Sequence, residues 1–552
     1  MDDLPLLFVQ IGHQLFRRHE TYSIAIHALL LFGAPLLLTV GTASMLTFGV
    51  LLSACWTYLV TLILSILLYR LSHLHPLSKY PGPICCRASK LWHACVVLKG
   101  RQHEYLQALH ERYGDVVRIG PNDLSIRDAS LIPAILGASG VPKGPNFHGS
   151  MLTATNPPMV GIQDTRLHLT RRRPWARGLA LSALKEYDRL IGKRTNQLVH
   201  LLENGHGTVA VLGEMFGYFS YDLMCDMAFG GGAELMEEGD PKKVWCLLTE
   251  GLEAGAFFHQ MDWLGVYFGH IPAVVKPLQT FLMHGKTLAL ERMQRGSTRR
   301  DLFHYLNEED LPEKTSPPLQ QLVDDGILAI VGGSDTTSSC LTSVFFALLT
   351  HPETYVKLQA EVDKYYPAGE ELCATKHHRD MTYLHAVINE ALRLFPPVMT
   401  LSTRKVPARA PGVHIRSLYI PPGTSISIPP YALQRDPRNF SFPSAFWPER
   451  WLIASGQIEL EDAPPPSAAS SRIFEFVHNE VAFMAFSHGP MNCVGKGFAL
   501  QEIRTVVCAL LQRFSFRLGE GWDPREYEAT VRDYIVSSRP ALPVILERRT
   551  SS

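Results

Sequence analysis

Phe486-Ser487-His488-Gly489-Pro490-Met491-Asn492-Cys493-Val494-Gly495 frames one cysteine between two glycines, with Ala499 a little further on. Gly489 and Gly495 let the backbone turn and pass close to a flat object with no Cβ in the way. Beyond Val494, the residues Lys496, Phe498, Leu500, Ile503 and Val507 carry helical spacing. Cys493 therefore stands in a loop just ahead of a helix N-terminus. Backbone N–H groups and the positive end of that helix favour a thiolate there. A free cysteine is more often a buried structural thiol. Taken alone, the loop leaves both readings open.

Upstream, Leu319 to Thr350 reads as one long helix ended by His351-Pro352. Its middle holds Gly332-Gly333-Ser334-Asp335-Thr336-Thr337. Glycines, an acid and hydroxyls are poor material for a helix centre. A sequence that puts them there has a use for a local distortion. On the residues alone, a hydroxyl-rich bend with Asp335 in an ion pair is an equal reading. Glu390-Ala391-Leu392-Arg393 sets a carboxylate and a guanidinium on one helix face. They stand among Val387, Ile388, Leu394 and Phe395, and Pro396-Pro397 follows. Further on come Arg404 and the segment Phe446-Trp447-Pro448-Glu449-Arg450-Trp451. His168-x-x-x-Arg172 runs through Arg171-Arg172-Arg173, and three consecutive arginines cannot all face inward.

In this order, from His168 to Cys493, the motifs resemble those of the cytochrome P450 family, the haem-thiolate monooxygenases. The likeness is to fungal membrane-bound members and covers nearly everything after residue 83. It implies a mainly α fold with small β-sheets (α+β), carried on N-terminal transmembrane helices. It implies haem b as cofactor, with Cys493 as the axial ligand of the iron and Phe486, Gly489 and Gly495 framing it. A thiolate ligand pushes electron density that favours O–O cleavage. By the same resemblance Asp335 and Thr336 are the catalytic acid–alcohol pair that delivers protons to dioxygen. Arg450 would join Glu390 and Arg393 in a buried structural network that does no chemistry. Arg404, Arg172 and His168 match positions that bind the haem propionates, with His168 where tryptophan is common. Met491 departs from the pattern. Arginine or histidine is common there, and its loss leaves one propionate short of a cation.

The chain has 552 residues and no net charge, so no nucleic-acid or acidic-polymer partner is expected. At about 150 residues per domain, the length allows roughly three or four domains. No linker or repeat is visible after residue 83, and residues 84–552 read as one catalytic domain. Ten scattered cysteines without paired spacing suit a reducing, cytosol-facing compartment. Residues 1–74 read as a membrane anchor. Two apolar runs, 22–40 and 45–69, are each long enough to span a bilayer, with a turn at residues 41–44 between them. Two spans put Arg17, Arg18, Arg70 and Lys79 on one side, as the positive-inside rule requires. The stretch before the first run, residues 5–16, is short enough to lie in the interface. Residues 75–83 read as a proline-stiffened hinge. Residues 459–471, rich in proline and serine, read as a surface insertion.

The expected activity is haem-dependent hydroxylation or epoxidation of an apolar small molecule, a fungal secondary metabolite such as a terpenoid. Dioxygen is the oxidant. NADPH supplies electrons through a separate NADPH-cytochrome P450 reductase, with cytochrome b5 as a second donor. The expected location is the endoplasmic reticulum membrane, with the catalytic domain facing the cytosol. Residues 147–160, 255–268, 328–332, 398–401 and 534–537 are expected to line the substrate pocket. The alternatives are a haem-thiolate isomerase, dehydratase or peroxygenase acting without a reductase, and a non-catalytic haem or scaffold protein. A proton relay at Asp335 and Thr336 argues against both.

Overall fold

Leu319–Thr350 is an unbroken α-helix, buried along most of its length, and the other elements pack around it. The structure is a computed structural model. It describes residues 4–19, 21–42, 47–205, 209–296, 299–311, 313, 316–367, 370–401, 403–463, 465, 474–538 and 540–549. The long helix does not break at Gly332–Thr337. Its hydroxyls instead bond back one turn: Ser334 Oγ to Ile330 O at 2.6 Å, Thr336 Oγ1 to Gly332 O at 2.7 Å, Ser338 Oγ to Ser334 O at 2.6 Å. Each hydroxyl is thereby satisfied inside the helix. The glycines serve packing. A Cβ on Gly326 would lie 2.4 Å from the Phe229 ring, and one on Gly333 would lie 2.4 Å from Met224 Sδ. Helix Leu212–Phe229 comes that close because those side chains are missing. A Cβ on Gly332 would meet nothing within 4 Å, and this glycine opens onto the central cavity.

Helices Leu181–Asn204, Pro272–Arg295, Thr382–Leu394 and Lys496–Arg513 complete the helical body. The sheets are small. Val116–Gly120 and Asp123–Ile126 form a hairpin around Pro121-Asn122. Asp123–Ile126 then pairs parallel with Ser425–Ser427, which pairs antiparallel with Arg404–Lys405. Pro543–Arg548 lies between Val209–Val211 and Phe514–Leu518. Asp533–Tyr534 and Val536–Ser537 make a separate hairpin. The result is the mainly helical fold with small sheets that the resemblance implied. Most of the 459–471 stretch lies outside the described residues.

Ile24–Gly41 and Phe48–Leu71 are two helices long and apolar enough to cross a membrane. The turn expected between them lies partly outside the described residues. The first helix widens to a π-helical turn over Leu29–Gly33, and Tyr58 Oη donates to Leu30 O at 3.1 Å. A partner on the second helix thus satisfies a carbonyl of the irregular turn. Leu4–Arg18 packs along that second helix. A Cβ at Gly12 would lie 2.5 Å from the Tyr58 hydroxyl, His13 Nδ1 pairs with Ser65 Oγ at 2.8 Å, and Arg17 sits 4.5 Å over the Tyr69 ring. Residues 75–83 are docked on the first sheet and on the separate hairpin Val413–Ile415/Leu418–Ile420. Arg118 N donates to Pro81 O at 2.7 Å, and Tyr80 Oη donates to Tyr419 O at 2.7 Å.

Glu390, Arg393 and Arg450 are fully enclosed. Arg393 grips the carboxylate through Nε at 3.0 Å and Nη2 at 2.8 Å, and Arg450 Nε adds a bond at 3.0 Å. The Trp447 N–H and the Trp451 indole N–H complete its shell at 2.9 and 3.0 Å. Spare guanidinium N–H groups go to the carbonyls of Gln434, Pro443, Ala445 and Phe442. Burial acts to raise the Glu390 carboxyl, but the two guanidinium charges more than reverse this and hold it at about 2. Its ordinary value is 4.5. The stability it contributes is therefore present above that pH and lost as pH falls toward 2. Glu390→Ala should cost about 3–5 kcal/mol, because two buried cations lose their counter-charge. Urea denaturation measures this, and a loss below about 1 kcal/mol would show that the network is not holding the core.

Candidate functional site

The cysteine loop is shaped by its own backbone and by what presses on it. Cys493 N donates to Phe486 O at 2.9 Å, and Asn492 N donates to Gly489 O at 3.1 Å. Gly489 has φ +75°, and a Cβ there would lie 2.1 Å from Leu136 O. Both facts require glycine at that position. Gly495 has ordinary φ and caps helix Lys496–Arg513. A Cβ there would lie 3.9 Å from Cys493 Sγ, so its lack leaves open space beside the sulfur. Cys493 opens onto an interior cavity of about 740 Å³. Burial pushes its thiol up. The Gly495 N–H, the Arg172 and Lys496 charges and the Lys496 N–H pull it back. A metal cation at the sulfur would complete the deprotonation.

Gln434, which the motifs did not reveal, ties this loop to the Glu390 network. It is fully buried at the end of the short helix Pro430–Gln434. Its carbonyl accepts from Arg393 Nη1 at 2.9 Å, and its Nε2 donates to Arg393 O at 2.8 Å. Its Oε1 accepts from Met484 N at 2.7 Å, and Met484 O accepts from Ser487 N at 2.9 Å. Three links therefore run from the ion pair to the residue after Phe486. A lone glutamine in a Pro-rich stretch carries no sequence signal for this role.

The basic side chains near the sulfur differ in what they do. Arg172 donates through Nη1 to Asn492 O at 2.7 Å and through Nη2 to Asn492 Oδ1 at 2.8 Å, which clamps the cysteine loop. Its neighbour Arg171 pairs with Asp325 at 2.9 Å, and Arg173 is exposed. Arg404 is buried and lines the cavity, with Nη1 3.0 Å from Met491 Sδ. Thioether sulfur is a weak acceptor, so this guanidinium retains most of its capacity. His168 bonds Met159 O through Nδ1 at 3.0 Å, and burial lowers it to about 4, which makes it neutral. Its Nε2 and the Trp175 indole N–H are buried without a protein partner.

Lys143 is the cation that the motifs missed. It lies in Val141-Pro142-Lys143-Gly144-Pro145, a stretch without periodicity. A backbone bridge to Arg404 brings it to the cavity wall. Burial, then the Arg404 and Arg172 charges, push its amine down to about 7. These residues fit a flat dianionic cofactor with a central metal. They offer a soft ligand, glycine-made space, one buried and one half-buried cation, and an orphan indole donor. Arg404 and Lys143 would hold the propionates, with Lys143 compensating for Met491.

On the same cavity, Thr336 and Gly332 come from the long helix. Asp335 is buried and does not reach the lining. The structure brings residues from all five expected pocket segments to the wall, Phe258, Leu328, Val398 and Ile535 among them. Phe257 and Met399 are not among the lining residues.

Residues 80–542 match the cytochrome P450 family model. The chain is 31% identical over 513 residues to the cytochrome P450 monooxygenase FCK2 of Fusarium pseudograminearum, covering 91% of this chain and 87% of that protein. It is 30% identical to cytochrome P450 67 of Uromyces fabae, covering 96% of each. It is 28% identical to a tryprostatin B 6-hydroxylase of Aspergillus fumigatus, covering 89% of this chain and 84% of that protein.

Cys493→Ala should abolish the thiolate signature of the reduced carbon-monoxide spectrum, and an unchanged spectrum would remove Cys493 as the ligand. If Lys143 holds a propionate, haem binding raises its amine from about 7 and takes up a proton above that pH. By itself this makes affinity fall with rising pH by up to about tenfold per unit. Cys493 contributes the opposite slope in every variant and cancels in a comparison. Haem titration of apoprotein should therefore show affinity rising more steeply with alkaline pH in Lys143→Met than in wild type. Equal slopes would exclude Lys143.

Proposed function

The chain belongs to the cytochrome P450 family and is a monooxygenase; on that premise we propose that it hydroxylates or epoxidises a largely apolar small molecule of fungal secondary metabolism. A terpenoid, polyketide or fatty-acyl body suits the cavity. The observation that carries this reading is that the Cys493 thiol and the Thr336 hydroxyl open onto one large, mostly apolar cavity. Two relatives named tryprostatin B 6-hydroxylase support hydroxylation of a secondary metabolite.

Bound haem, with dioxygen and two electrons, supplies the oxygen chemistry: one oxygen atom goes to substrate and the other leaves as water. Cys493 holds the cofactor from one side. Thr336, its O–H donated back to Gly332 O, presents the lone pairs of its hydroxyl oxygen to the cavity as a proton carrier. Asp335, buried beside it, feeds that carrier from the protein side. The apolar wall keeps bulk water from competing for those protons.

NADPH-cytochrome P450 reductase, with cytochrome b5, is the proposed electron source. Lys496 is exposed on the cysteine side, 5.6 Å over the Phe486 ring, and suits an acidic docking partner. Arg504 suits it less, since its Nε is enclosed. The two apolar helices support anchoring in the endoplasmic reticulum membrane, with Arg17, Arg18, Arg70 and Lys79 on the cytosolic side.

Spectral-shift screening of apolar metabolites on the haem-loaded protein, then product identification with reductase, tests the activity. Thr336→Ala should keep NADPH consumption but lower the fraction recovered in product by roughly an order of magnitude. Unchanged coupling would take Thr336 out of the relay.

A further inference from the structure

The cavity wall contains a fully buried acid that the monooxygenase reaction does not use. Asp533 is 1% exposed and lines the cavity. It sits at the base of the hairpin Asp533–Tyr534/Val536–Ser537, with its backbone N–H held by Gly100 O at 2.9 Å. Its side chain takes one bond, from Thr400 Oγ1 to Oδ2 at 2.7 Å, and Thr400 also lines the cavity. Among the described residues no lysine or arginine pairs with it. The other aspartates of the wall are partnered: Asp123 by Lys90 at 3.0 Å, Asp324 by Gln320 at 2.8 Å.

A carboxylate enclosed without a counter-charge is costly. Burial accordingly raises Asp533 to about 6, which still leaves it largely ionised at neutral pH. The cations of the cavity do not relieve it. Lys143, Arg172 and Arg404 interact with one another at the thiol end. Asp533 is thus a deeply buried acid of the wall with no cationic partner among the described residues, while the cavity's buried arginine and its lysine gather at the thiol end. The hairpin tip adds a second sign of function. Ile535, a β-branched residue, is held at φ +75° and lines the same wall. Left-handed backbone at such a residue is strained and persists where the surroundings impose it.

We propose that Asp533, oriented by Thr400, anchors a protonated nitrogen on the substrate, so that the guest is an otherwise apolar molecule bearing one basic amine. The proposal rests on reading the cavity as the substrate site of a monooxygenase. It narrows the substrate class from any apolar metabolite to an amine-bearing one. A cationic nitrogen would supply the missing counter-charge, while the hydrocarbon body fills the apolar wall.

The test uses the full-length, haem-loaded protein and two ligands of one shape: N,N-dimethyldecylamine, which is cationic at neutral pH, and N,N-dimethyldecanamide, which is neutral. Dissociation constants come from haem difference spectra. Each ligand is compared between wild type and Asp533→Asn, so its own partitioning cancels. Amine binding should weaken about tenfold or more, and amide binding should stay within about twofold. Equal losses for both ligands, or no loss for the amine, would overturn the anchor. If Asp533→Asn does not retain haem, Thr400→Val replaces it and should weaken the amine selectively; unchanged discrimination there also overturns the proposal. If neither ligand perturbs the wild-type spectrum, the cavity reading itself falls, and the anchor with it. If both bind and only the discrimination is missing, the anchor alone falls.

Discussion

Three charges taken out of water together set the terms for the rest of this structure. Enclosing Glu390, Arg393 and Arg450 is favourable only if every lone pair and N–H finds a partner. The fold meets that demand with five donors to the carboxylate and a ring of carbonyls around the guanidiniums. Those carbonyls belong to residues 434–445, a stretch with little regular structure of its own. The network therefore fixes irregular chain that no ladder of backbone bonds would hold. Through Gln434 the same constraint reaches Met484 and the cysteine loop. The sulfur is positioned by an ion pair that does not touch it.

The cavity beside the sulfur holds groups of both signs. Arg404, Lys143 and the Arg172 clamp gather at the cysteine end, and Asp533 is an enclosed acid of the wall. Met491 is part of this arrangement. Its thioether lies against Arg404, where a further cation would crowd the buried Arg404 and the half-buried Lys143. A soft, neutral side chain there adds no charge beside them.

Much of the fold was legible because local pattern and global packing agree. The long helix has its expected ends, since Pro318 and His351-Pro352 bound a continuous apolar periodicity. The Gly120–Asp123 hairpin and the apolar N-terminal runs were readable for similar reasons. At Gly332–Thr337 the helix continues unbroken, and its hydroxyls find their partners one turn back within it. Gly326 and Gly333 answer to Phe229 and Met224, a hundred residues away in sequence, so their purpose was invisible locally. Arg172 was read as a propionate ligand because its spacing matched. Only the folded loop shows that both ends of its guanidinium are engaged by Asn492.

The sequence by itself determined the glycine-framed cysteine loop, the long hydroxyl-bearing helix, the ion-pair partners and the two apolar N-terminal helices. Each of these is written in a short stretch whose residue types already state the chemistry. Tertiary structure decided what depends on distant segments meeting. Lys143 becomes a cofactor-side cation only through its bridge to Arg404. Gln434 becomes a tie only between Arg393 and Met484. Asp533 becomes an enclosed acid with no cationic partner among the described residues only when a hairpin near the C-terminus closes against Thr400. The physical reason is that charge and hydrogen-bond demand are set by what surrounds a group after burial, and burial brings together residues hundreds of positions apart.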